Sequence, residues 1–121
     1  MKTLLFASVL IAISASSAPA QVITLDGPDH KIAVWKNLEA THQALQLEAT
    51  NQAQTNPKAY NRLIACVVSS GTTAMITKDH GDVALAYDIR ITSGARSGCR
   101  GTVINENVIK QCRGTRCIGA L

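Results

Sequence analysis

The sequence predicts a small, mainly β protein with a helical N-terminal portion, and three observations carry that reading. Apolar residues recur three and four apart between Lys31 and Gln54. The period changes to two after Leu63. Glycine-bearing turns then separate short apolar runs as far as the C terminus. Helix first and strands afterwards is the pattern of a small barrel or tight sandwich with a helical preface.

The opening MKTLLFASVLIAISASSAPA reads as an export leader over residues 1–20. Lys2 is its basic start, Leu4 to Ile13 its apolar run, and Ala18-Pro19-Ala20 a small-x-small cleavage site. Such a run is far short of the roughly 20 residues that span a bilayer as a helix, so no transmembrane segment is expected. Export implies a secreted or periplasmic protein. The 101 residues from Gln21 to Leu121 suit one domain.

Within that domain, residues 21–62 are expected to be helical and 63–121 to form the strands. Asp26 or Asp29 and Pro28 supply start signals for a helix over about 31–54, whose stripe is Trp35, Leu38, His42, Leu45 and Ala49. Asn56-Pro57 ends it and begins a short second helix, Lys58 to about Arg62. The strands follow as LIACVVS, TTAMIT, VALAYDIRIT, CRGTVI and VIKQC. In the third, Val83, Leu85, Tyr87, Ile89 and Ile91 share one face.

Four cysteines, Cys66, Cys99, Cys112 and Cys117, follow an export leader, and an oxidising compartment makes disulfides the default. Four residues between Cys112 and Cys117, with Gly114 among them, allow a tight turn that joins those two. Cys66 is then left for Cys99. The histidines His30, His42 and His80 are scattered and no CxxC pair occurs, so neither a metal nor a cofactor is expected. The tetrapeptide CRGT occurs at Cys99–Thr102 and again at Cys112–Thr115, where glycine suits either a positive φ or a close backbone approach.

The segments VVSSGTTAMI and VALAYDIRITSGARSGCRGTVINENVI are arranged like an opening strand, glycine turn and second strand, then a long hairpin strand, a glycine loop, a Gly-x-Val strand, a 3₁₀ bend and a closing strand. From Cys66 to Lys110 the chain thereby resembles the SH3-like domains of exported bacterial proteins. That resemblance implies an SH3-like small barrel of about five strands, preceded by one long and one short helix. Where such domains often carry tryptophan, this chain has Gly101-Thr102-Val103, which argues against an aromatic groove for proline-rich peptides.

Charge supplies the functional expectation. After the leader, 11 Lys and Arg stand against 8 Asp and Glu, and between Arg90 and Arg116 there are six basic residues and one acid, Glu106. A basic C-terminal third suits an anionic cell-envelope polymer or an acidic protein. Arg96, Arg100, Arg113 and Arg116 flank glycines or sit beside cysteines and are the candidate ligand-binding residues. With only Trp35, Tyr60 and Tyr87 as aromatics after the leader, stacking on nucleic acid is not expected.

Lys78-Asp79-His80-Gly81-Asp82 has acid–base residue types but turn composition, and no nucleophile motif is present, so no enzyme is expected. The reading is a non-catalytic binding module. Its rivals are an inhibitor or effector of a secreted enzyme acting through the loop Ser93 to Gly98, and a homo-oligomer assembled through Leu38 and Leu45 of the first helix.

Overall fold

The structure is a computed structural model that describes residues 21–121; the export leader expected over 1–20 lies outside the described residues. Six strands form one antiparallel sheet: β1 (Val22–Thr24), β2 (Lys31–Trp35), β3 (Ile64–Ser69), β4 (Thr73–Asp79), β5 (Ala86–Ile91) and β6 (Arg100–Ile104). Their spatial order is β1-β4-β5-β6-β2-β3. Helices α1 (Leu38–Ala49), α2 (Gln52–Thr55) and α3 (Pro57–Asn61) connect β2 to β3, and α4 (Gly81–Ala84) connects β4 to β5. A 3₁₀ turn at Asn105–Asn107 leads to a separate hairpin, β7 (Gln111–Arg113) and β8 (Arg116–Ile118).

The expected barrel of about five strands is therefore an open sheet of six, with β1 and β3 as its two edges. It curls so that one face meets itself. Ile23, Leu25, Ile32, Val34, Val68, Ile89, Ile91, Val103 and Val108 are buried together in this concave core. Each such side chain contributes roughly 1.5–3 kcal/mol through burial. Tyr87, Ile89 and Ile91 alternate inward as the period of two requires. Val83 and Leu85, expected on the same face, lie instead in the α4 turn and are exposed.

The expected preface of one long helix over 31–54 is also corrected. Lys31–Trp35 is a strand, and helix begins only at Leu38. Ile32 and Val34 enter the concave core, while Trp35, after a register shift, turns to the other face. There α1 and α3 cover it: Trp35 packs with Ala40, Ala44, Leu63 and Ile64, and its ring meets Tyr60 edge-on at 5.3 Å. The buried face of α1 is Ala40, Thr41 and Ala44. His42 and Leu45 of the expected stripe are exposed.

Two disulfides fasten this frame. Cys66 of β3 is bonded to Cys99 just before β6, and Cys112 to Cys117 across β7 and β8. In the chain-entropy account the longer loop contributes about 4 kcal/mol and the short one about 2. None of the described helices is long and apolar enough to cross a membrane.

Candidate functional site

Antiparallel register decides which charged residues meet. β5 and β6 pair Asp88 with Thr102 and Arg90 with Arg100. Directly opposed residues share a face, so Arg90 and Arg100 stand side by side on the convex surface, one pair along from Asp88 and Thr102. The loop that joins these two strands, Ser93 to Gly98, carries Arg96 exposed. The ion pairs among the described residues are His80–Asp88 and Arg116–Asp79, so Arg90, Arg96 and Arg100 share none.

The loop itself is firmly held. Gly98 N–H donates to the Ile91 carbonyl at 2.8 Å and Cys99 N–H to the Arg96 carbonyl at 3.0 Å. The Ser93 hydroxyl oxygen accepts from Thr73 N–H at 2.9 Å, and the Cys66–Cys99 disulfide anchors the downstream end. Gly94 and Gly98 have positive φ, which lets six residues make two turns without strain. Arg96 is thus displayed on a rigid support.

Beside Arg100, a cleft of about 510 Å³ opens between the first turn of α1 and the convex face, lined by Lys36, Asn37, Glu39, Thr77, His80 and Asp88 among others. His80 is half-buried, and its Nε2 lies 2.8 Å from Asp88 Oδ1. The same oxygen accepts from the Thr102 hydroxyl at 2.7 Å. A histidine held by a carboxylate is the geometry of a general base. Thr102, however, is fully buried and its hydroxyl proton is committed to Asp88, and all four cysteines are bonded in disulfides. Among the described residues the side-chain partner of the imidazole is Asp88, the Thr77 hydroxyl on the same cleft makes no hydrogen bond to it, and no group of three or more His, Cys, Asp or Glu side chains could hold a metal ion.

The four arginines singled out in the sequence fall in two places. Arg96 and Arg100 lie on the loop and on β6, with Arg90, which sequence reasoning left out, opposite Arg100. Arg113 and Arg116 oppose each other across the β7–β8 hairpin, and Arg116 Nη2 is bonded to Asp79 Oδ2 at 2.6 Å. Arg90 was legible only as one of the six basic residues of the C-terminal third, since its partner depends on β5–β6 register. No protein-family model, curated protein or solved structure matches this chain.

Proposed function

We propose that this is a non-catalytic binding module, acting outside the cytoplasm, that takes an anionic envelope polymer or acidic protein on the surface formed by Arg90, Arg96 and Arg100. The observation that supports it best is the Arg90–Arg100 pair. Like charges directly opposed across two strands destabilise a sheet by a few tenths of a kcal/mol up to about 1 kcal/mol. A third unpaired guanidinium stands on the connecting loop. Such an arrangement makes sense where an anion completes it, because guanidinium forks bind carboxylate and phosphate bidentately.

The test uses polyglutamate as probe, with affinity measured at low and high salt. Combined Arg96→Glu and Arg100→Glu substitution should lower affinity at least tenfold. The melting temperature should hold or rise, since a carboxylate at position 100 would pair with Arg90. Binding should weaken with salt, as exposed charge contacts do. An unchanged affinity overturns the proposal.

A second reading, an inhibitor or effector of a secreted enzyme, is favoured by the rigidity of the loop Ser93 to Gly98, since a preorganised loop loses little entropy on insertion. Capture from the native secretome separates the two. Salt-sensitive retention of polymer supports the module, and one stoichiometric, salt-resistant enzyme supports the inhibitor.

A further inference from the structure

The two edges of the sheet are treated differently. Along β1, the C-terminal segment supplies cover: Ile109 N–H donates to the Thr24 carbonyl, Gln111 Nε2 donates to the Val22 carbonyl, and Leu25 forms a bridge with Val108. β3 has no such cover. Its ladder is with β2 alone, and its sequence IACVVS contains neither charge nor proline, two of the devices by which proteins blunt an edge.

The register shows which backbone groups are open. Ser70 N–H donates to the His30 carbonyl, and the β2–β3 pairs Ile32–Val68 and Val34–Cys66 follow at intervals of two. In an antiparallel ladder the residue between two such bonded pairs turns its N–H and C=O away from the neighbour. Val67 is that residue. Its side chain is exposed as well. Next to it, a groove of about 230 Å³ runs between β3 and the loop Ser93 to Arg96, with the hydroxyls of Ser69, Thr72 and Ser93 and the charge of Arg96 along it.

We propose that β3 is a docking edge for an extended, acidic peptide segment of a partner protein, which adds as a further strand at Val67 and places a carboxylate against Arg96. This rests on the reading of the arginine surface as a site for an anionic partner and names that partner's local form. Strand addition gives affinity through main-chain hydrogen bonds and selectivity through alternate side chains. Here the selective feature is the unpaired guanidinium at one side of the groove.

The experiment compares three probes: an octapeptide of alternating valine and glutamate, the same peptide N-methylated at alternate amides, and polyglutamate. The parent peptide should bind, and N-methylation should lower its affinity at least tenfold. Val67→Pro should do the same to the parent peptide while leaving polyglutamate binding unchanged. The Val67 N–H is not used by the β2 ladder, so the variant should fold, which its circular dichroism checks. Arg96→Glu should weaken both peptide and polyglutamate. If the N-methylated peptide binds as well as its parent, strand addition is overturned and the anionic reading stands. If Arg96→Glu alters neither probe, both fall. A dimer in sedimentation that Val67→Pro converts to monomer would assign the edge to a second copy and overturn the peptide.

Discussion

The two copies of CRGT show how one residue type does two jobs. Gly114 has φ +60° and turns the β7–β8 hairpin, a backbone region where side chains are strained. Gly101 has an ordinary φ, and its reason is space: a Cβ there would sit 2.2 Å from the Trp35 carbonyl oxygen and 2.7 Å from Val34 Cγ1. Those atoms belong to β2, the neighbour of β6 in the sheet, so relief requires the two strands to part. Gly101→Ala should therefore destabilise by about 2–3 kcal/mol, as overpacking of a closed core does, whereas Arg100→Ala beside it should fall within about 0.5 kcal/mol, as surface changes do. Urea titration of both variants checks this, and an unperturbed Gly101→Ala would mean that β2 and β6 are looser than described. The repeated tetrapeptide made glycine's alternatives legible, a positive φ or a close approach. It could not say which copy used which, because the Gly101 contact depends on β2, more than sixty residues earlier in the chain.

At the scale of elements, the clearest misreading is Lys31–Trp35. Its apolar residues at 32, 34 and 35 fit a helical stripe when joined to Leu38, and they equally fit a strand of period two that ends in a register shift. Five residues are too few to choose. Pairing with β3 decides, since it buries Ile32 and Val34 on one face and Trp35 on the other. The later strands were easier, because alternation in Tyr87-Asp88-Ile89-Arg90-Ile91 admits no helical alternative of that sharpness. The true helix start carries its own signal: the Asn37 side-chain oxygen accepts from Ala40 N–H at 2.7 Å and the Thr41 hydroxyl donates to the Asn37 carbonyl at 2.9 Å. Asn37→Ala removes that N-cap bond and should cost about 1 kcal/mol. Asn37→Asp or Asn37→Ser should restore most of it in thermal denaturation, which distinguishes a lost cap from a general disturbance of the cleft.

For the molecule as a whole, the candidate site was only half legible: Arg96 and Arg100 could be named from composition, but the pairing of Arg100 with Arg90, and the bare β3 edge, are consequences of strand order. That same order places two phenols so that alkaline pH acts on the entire fold. Burial, followed by the hydrogen bond to Glu48 that the hydroxyl donates, raises the Tyr60 pKa far above its ordinary 10.0. Burial, followed by the nearby Asp79 carboxylate, raises that of Tyr87, whose hydroxyl donates to Asn105 Oδ1 at 2.7 Å. A group that holds its proton more tightly when folded contributes stability that is fully present below the unfolded pKa and is lost as pH rises through the folded one. Stability should thus be level up to about pH 9 and decline above about pH 10, where the unfolded chain begins to release protons that the folded chain retains. Phenolate absorbance should then appear together with loss of structure, not ahead of it. Tyr60→Phe and Tyr87→Phe should each make the decline shallower, at the cost of the hydrogen bond each removes. Because Tyr60, on α3, packs on Trp35 and Tyr87 lies in the concave core, the two variants report separately on the two sides of the sheet. Normal tyrosine titration in the still-folded protein would show that neither phenol is shielded.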